Sequence, residues 1–174
     1  MAVTQQLARI PEGYLEACRR SAAASSDRDP HWDPPAYDVL DLDWAPALLT
    51  RVGEVAGLEE VHLDALRRAT DGDTALDLGF LNTHPRAIAP FGAAPTGLGV
   101  SEVARVCELL GQMDMPVLLA ALPADERDAE SLIGQMGGPV TGGLRAYLLE
   151  HFNALRNFYL DAAERHLLVV LWWD

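Results

Sequence analysis

The chain has 174 residues, 49% of them hydrophobic, and a formal net charge of −13 at pH 7. This length suits one domain with a substantial core, and the acidic balance argues against nucleic-acid binding, which needs clustered cations. All 13 basic residues are arginine, which excludes chemistry that requires a lysine, such as Schiff-base formation.

Cysteine usage and hydrophobic run lengths bear on the compartment. Cys18 and Cys107 lie far apart, each within an amphipathic helical pattern, and this favours free thiols over a disulfide. Residues 1–20 lack the apolar core of a signal peptide, and no apolar run approaches the length of a membrane span. We therefore expect a soluble cytoplasmic protein with no membrane partner.

The chain opens with a predicted strand over residues 4–10 and a helix over residues 12–21. Residues 22–37 are rich in serine and proline and lack periodicity, so they are predicted to be the most mobile internal loop. One strand and one helix could not bury a core alone. The loop is therefore not a boundary, and residues 1–174 are predicted to form a single domain.

The next part of the chain reads as a short strand followed by two helices. Residues 40–42 are predicted to be extended, and Asp43 is the predicted N-cap of a helix with Pro46 in its first turn. A second helix over residues 59–69 is predicted to bury Val61, Leu63 and Leu66.

Residues 75–100 are broken by proline and glycine, with a possible strand at 75–81 and an extended stretch at 98–100. Ser101 is the predicted cap of the following helix. Two more helices are predicted over residues 117–122 and 125–136.

The segment 141–174 has the clearest pattern, a long helix followed by an apolar strand. Thr141 is a plausible cap residue for the helix. From Leu144 onward, one helical stripe carries residues suited to a core: Leu148, His151, Leu155, Phe158, Tyr159 and Ala162. In residues 167–173 both alternating sets are apolar, which is typical of an interior strand covered on both faces. The pattern predicts a sheet placed between helices.

Several of these segments together resemble the YfbM-like family, a bacterial domain of unknown function. The matching segments are residues 152–159, 162–165 and 171–172 of the tail, with 40–43 and 101–103 in matching order. The resemblance implies an α/β fold, a three-layer α/β/α sandwich around a small mixed sheet. The family usually has a lysine where this chain has residues 44–46, so no role of that lysine carries over. The family brings no established activity.

His151 is the one histidine on the core-facing stripe of the tail helix. A buried imidazole needs a hydrogen-bond partner, so we interpret it first as a core histidine bonded to a carboxylate or a backbone carbonyl. The alternative is a base at the floor of a cleft. Glu150 points elsewhere on the helix and cannot orient the ring.

Two further histidines occur outside the regular elements. His31 and Asp33 flank a tryptophan in the 22–37 loop, and His84 follows an asparagine and a threonine. These are residue types that a ligand lid uses, although loops also collect polar residues for solvation alone. No His or Cys spacing typical of a metal site occurs. We expect neither a metal nor a cofactor.

Three partial motifs fall short of a catalytic or binding fingerprint. Residues 99–103 match half of a nucleophile elbow, but the second glycine is replaced by Val103. Residues 97–99 lack the third glycine of a dinucleotide-binding loop. Asp71, Asp73 and Asp77 lack the glutamate that completes a calcium loop.

Two functional hypotheses follow. The first is a non-enzymatic acidic module that binds a basic protein or a small ligand, because net charge −13 favours cationic partners and no catalytic set is complete. The alternative is an enzyme that uses His151 with His31, Asp33 and His84 in a cleft beneath the 22–37 loop. Contact between these side chains would separate the two hypotheses.

Overall fold

A four-stranded antiparallel sheet organises the chain. The structure is a computed structural model and describes residues 3–83, 88–89, 93–134 and 142–174. The strands β1 (Gln5–Ile10), β2 (Val39–Asp43), β3 (Thr96–Leu98) and β4 (Leu168–Trp173) lie in the order β2-β1-β4-β3. The described residues confirm the α/β class.

The direction of the strands differs from the expected mixed sheet, because all three pairings between the named strands are antiparallel. The longest pairing joins β1 to β4 over six residues, from Gln5 opposite Trp173 to Ile10 opposite Leu168. A strand that is buried on both faces is apolar on both alternating sets, whether it pairs in parallel or antiparallel. The hydrophobic pattern of β4 therefore does not define the direction of its pairing.

Seven helices are described: α1 (Glu12–Ala24), α2 (Ala45–Val55), α3 (Glu60–Asp71), α4 (Val100–Gly111), α5 (Met115–Ala120), α6 (Glu126–Ile133) and α7 (Leu144–Glu164). Two 3₁₀ turns cover Ala36–Asp38 and Gly79–Asn82. The predicted strand at 75–81 is therefore wrong.

The sheet separates two hydrophobic cores. The larger contains side chains from α2 to α7 together with Val169 and Leu171 of β4. The smaller contains Leu168, Val170 and Trp172 of β4 with residues of α1 and of the 76–81 segment. The predicted interior position of the last strand is confirmed, since β4 pairs on both edges and contributes to both cores.

Helix α7 buries the predicted stripe, and His151 is only half-buried within it. Thr141, its predicted cap residue, lies outside the described residues. Among the parts of the chain that the structure describes, no helix is both long enough and apolar enough to cross a membrane.

Three local predictions are wrong. Asp43 ends β2 with φ of 51°, and Trp44 takes the N-cap position of α2 without a side-chain hydrogen bond. Ser101 lies inside α4, whose N-cap is Gly99. Val61 is 45% exposed rather than buried. In each case the residue type suits the predicted role, but such local preferences are weak and tertiary context overrides them.

Candidate binding pocket

A small pocket lies where the start of β1 and the end of β4 meet the C-terminus of α3. Its volume is about 140 Å³. The described lining residues are Gln5, Thr70, Asp71, Ala93, Ala94, Thr96, Leu171, Trp172 and Trp173. We refer to it as the Gln5–Asp71 pocket.

A close approach of α3 to β3 fixes one wall of this pocket. Gly72 follows α3 with φ of 62°, and a Cβ there would lie 2.8 Å from Thr96 Oγ1 and 2.9 Å from a Leu171 methyl carbon. Only glycine combines this backbone conformation with this contact. Thr96 Oγ1 donates a hydrogen bond of 2.6 Å to the Asp71 carbonyl oxygen, and Asp73 pairs with Gly97. The end of α3 is thus held against β3.

Gln5 contributes a buried amide to the pocket. The residue is 2% exposed, and its Nε2 donates a hydrogen bond to the carbonyl oxygen of Thr70. Its Oε1 is buried and has no hydrogen-bond partner among the residues that the structure describes. A buried acceptor without a donor costs about 1–3 kcal/mol. A donor group entering the pocket would recover part of that free energy.

Asp71 supplies the negative charge of the pocket. The residue is exposed as a whole, yet partial desolvation of its carboxyl raises its pKa, and the positive charge of Arg67 acts in the opposite direction. Trp172 and Trp173 add aromatic surface. Because the described lining residues include acceptors and indole rings but no cation, the pocket suits a positively charged hydrogen-bond donor.

The structure places His151 beside Tyr147 on α7. His151 Nδ1 lies 2.8 Å from the Tyr147 carbonyl oxygen, and the two rings lie 4.1 Å apart. The Tyr147 hydroxyl donates to Asp43 Oδ2 at 3.0 Å and accepts from the Trp44 amide at 3.3 Å. Burial, reinforced by Asp43, raises the pKa of Tyr147. A backbone carbonyl partner for His151 agrees with the core interpretation.

His31 and Asp33 lie in the connection after α1. His31 Nδ1 is 2.6 Å from Ser21 Oγ, and the His31 side chain is 72% exposed. Ser21 Oγ donates its proton to the Asp29 carbonyl oxygen at 3.0 Å. Whether His31 Nδ1 donates to or accepts from the Ser21 hydroxyl depends on the tautomer of the ring. The amide of Asp33 donates to the Tyr14 hydroxyl.

The histidines predicted to share a cleft do not contact one another where they are described. His151 lies on α7, which packs into the larger core, while Trp32 beside His31 packs into the smaller core, 6.0 Å from the Trp172 ring. The two segments are thus on opposite faces of the sheet. His84 lies outside the described residues. The described part of the chain contains no group of three or more metal-ligating residues placed to hold an ion.

Sequence reasoning missed Gln5 as a pocket residue. Its signal was present, because Gln5 shares an alternating set with Leu7, whose side chain is in the larger core. A polar residue on a buried set of a strand needs a partner, and that need marks a site for inspection. Asp71 offered less, since its sequence context was only the incomplete calcium-loop pattern that it shares with Asp73 and Asp77.

The fold is similar to that of YfbM from Escherichia coli, described as a protein of unknown function. The similarity has a TM-score of 0.57 and covers 97% of this chain and 98% of that chain, at 15% sequence identity. It confirms the YfbM-like fold expected from the sequence. No protein-family model matches the chain, and no curated protein matches it.

Proposed function

We propose that the protein is a non-catalytic binding module that recognises an ammonium or guanidinium group in the Gln5–Asp71 pocket. The observation that carries this proposal is the buried Oε1 of Gln5, which has no partner among the described residues and belongs to a side chain of the pocket that also presents the Asp71 carboxylate. A cationic N–H donor satisfies the acceptor and the charge together.

The size of the pocket restricts how much of a ligand enters it. Sites for drug-sized ligands usually span about 300–1,000 Å³, whereas this pocket has about 140 Å³. Only a head group fits. The basic group therefore comes either from a small amine or from an arginine or lysine side chain of a protein partner, and the rest of the ligand stays outside.

The overall charge supports the same chemistry. A net charge of −13 attracts cations over a distance set by ionic strength, and it speeds their association. The indole surfaces of Trp172 and Trp173 add cation–π attraction at the site itself. Binding should therefore weaken as salt is raised.

The test uses propylguanidinium, propylammonium and the neutral analogue propanol, with tryptophan fluorescence and amide NMR shifts as readouts. Both cations are expected to shift signals at Gln5 and Asp71, and propanol is not. An arginine-containing peptide tests whether the basic group can come from a protein partner. If it can, the peptide competes with propylguanidinium for the pocket.

The variant Asp71→Asn should weaken cation binding about tenfold, the equivalent of one charge-assisted hydrogen bond. Asp64→Asn is the matched control, because Asp64 is exposed and is not among the pocket residues. Equal binding of propanol, or unchanged affinity of Asp71→Asn for both cations, would overturn the proposal.

A further inference from the structure

A second, larger cavity lies on the other side of the larger core, between α7 and the turn that joins α4 to α5. It is an open groove of about 530 Å³. Residues 111–116 form one side, and the α7 side consists of Leu149, Phe152, Asn153 and Arg156. Those four residues have the spacing i, i+3, i+4 and i+7, which places them on one helical face. We refer to this cavity as the Arg156 groove.

The floor of the Arg156 groove is apolar. Met113, Met115 and Phe152 line the groove and belong to the larger core, with exposures of 5%, 1% and 0%. Methionine side chains adapt to irregular apolar ligands because they are unbranched and flexible. The volume falls inside the usual range for small-molecule sites, about 300–1,000 Å³. The groove can therefore enclose the apolar body of a ligand.

Arg156 gives the groove a positive charge without a carboxylate partner among the described residues. Eight other described arginines form ion pairs: Arg9, Arg19, Arg51, Arg67, Arg68, Arg105, Arg145 and Arg165. The chain has 26 acidic residues against 13 basic ones. Carboxylates are thus abundant, yet none of those described lies within ion-pair distance of this half-buried guanidinium.

The described neighbours of Arg156 leave its hydrogen-bonding edge unoccupied. Its Cζ lies 5.9 Å from the centre of the Phe152 ring, so the ring supports the guanidinium from one side. Asp114, the acidic residue among those that line the groove, already accepts a hydrogen bond from the Val117 amide as the N-cap of α5. Its carboxylate keeps its negative charge but is not within ion-pair distance of the Arg156 guanidinium.

We propose that the Arg156 groove binds a small apolar molecule that carries one carboxylate, of the medium-chain aliphatic type. The carboxylate pairs with the planar guanidinium of Arg156 through two parallel hydrogen bonds. The hydrocarbon chain lies on the two methionines and Phe152. One arginine matches one carboxylate, whereas a doubly charged phosphate needs more cations than the described lining residues supply.

Isothermal titration calorimetry with decanoate and with decanol tests the charge and the apolar contacts separately. Decanoate is expected to bind more tightly than decanol, and amide NMR shifts should map it to Met113, Met115 and Arg156. If the two ligands bind equally, or if the shifts fall elsewhere, the proposal is wrong.

Two arginine variants make the test specific. Arg156→Gln should weaken decanoate binding about tenfold and leave decanol binding unchanged, because it removes one charge-assisted pair. Arg127→Gln is the matched control, since Arg127 is exposed, forms no ion pair with a described residue and is outside the groove. Equal losses for decanol and decanoate in Arg156→Gln would contradict a carboxylate-specific role.

An apolar groove can also be occupied by a second copy of the chain. Light scattering on the ligand-free protein tests this alternative. We expect a monomer whose mass does not change in Arg156→Gln. A dimer that dissociates in this variant or on addition of decanoate would overturn the proposal. The Asp71→Asn variant should bind decanoate normally, which keeps this site independent of the Gln5–Asp71 pocket.

Discussion

The Tyr147 hydroxyl donates a hydrogen bond of 3.0 Å to Asp43 Oδ2, joining α7 to the last residue of β2. The Tyr147 hydroxyl oxygen also accepts a hydrogen bond from the Trp44 amide at the start of α2. One hydroxyl thus connects α7 to the junction between β2 and α2, about 100 residues earlier in the chain. Asp43 itself has a left-handed backbone conformation, with φ of 51°.

Tyr147→Phe removes that hydroxyl and keeps the ring. The free energy of unfolding should fall by about 1–2 kcal/mol, because a half-buried Asp43 carboxylate and the Trp44 amide both lose a partner. Urea denaturation followed by circular dichroism measures the loss. Tyr37→Phe is the control, since Tyr37 is 73% exposed. A similar loss in both variants would contradict the connecting role of Tyr147.

Gly72→Ala tests the close approach of α3 to β3. Alanine at a left-handed position costs about 1–2 kcal/mol through backbone strain alone. Gly57→Ala is a positive-φ reference without a steric clash, because Gly57 has φ of 70° and no atom within 4 Å of an added Cβ. At Gly72 the new Cβ would also collide with Thr96 and Leu171. The free energy of unfolding, measured by thermal or urea denaturation, should therefore fall by about 1–3 kcal/mol more in Gly72→Ala than in Gly57→Ala.

Asp38 is buried between two arginines, Arg9 at 2.9 Å and Arg165 at 2.7 Å. Burial alone would raise the pKa of Asp38, but the hydrogen bonds from Arg165 and Arg9 outweigh it and hold the pKa below its usual value. The folded-state pKa is thus lower than the unfolded one. The stabilisation is complete above the unfolded pKa and is lost as pH falls through the folded pKa.

Asp38→Asn should therefore lower the free energy of unfolding at neutral pH by about 2–3 kcal/mol, somewhat less than for a fully buried pair because Arg165 is partly exposed. The difference from the unmodified protein should shrink once the pH is below about 4. Urea titrations from pH 7 to pH 2.5 measure this. Asp64→Asn should show no such dependence, and a constant difference in Asp38→Asn would refute the ion-pair account.

Trp32 anchors the connection after α1 to the smaller core. Its ring lies 5.8 Å from the Tyr14 ring and 6.0 Å from the Trp172 ring, edge-on to both. Trp32→Ala should cost about 2–3 kcal/mol, less than a fully buried tryptophan, and should speed amide hydrogen exchange across residues 26–35. Trp44→Ala, at a position 48% exposed, is the control. Unchanged exchange in Trp32→Ala would show that this ring does not hold the segment.

The mobility predicted for residues 22–37 concerns the same segment. The structure shows anchors that composition could not reveal, namely the Trp32 ring and the hydrogen bond from the Asp33 amide to the Tyr14 hydroxyl. The exchange experiment measures the motion directly. Ala22 itself belongs to α1 and is buried.

The amino-acid sequence alone determined the regular parts of the tail, the buried stripe of α7 and the interior position of β4. Both follow from periodicity, which depends on neighbouring residues: a period near 3.6 selects one helix face, and apolar residues on both sets of a strand require cover on both sides. The YfbM-like fold was predicted from the same segments.

Only the tertiary structure decided the antiparallel sheet, the role of Asp43 and the composition of both cavities. Gln5 meets Thr70 across 65 residues and Tyr147 meets Asp43 across 104, so no local pattern encodes either contact. The tertiary structure also places the segments that carry His151 and His31 on opposite faces of the sheet. Local periodicity defines which face of an element is buried, but the packing of distant segments determines which polar groups meet there and which remain unpaired.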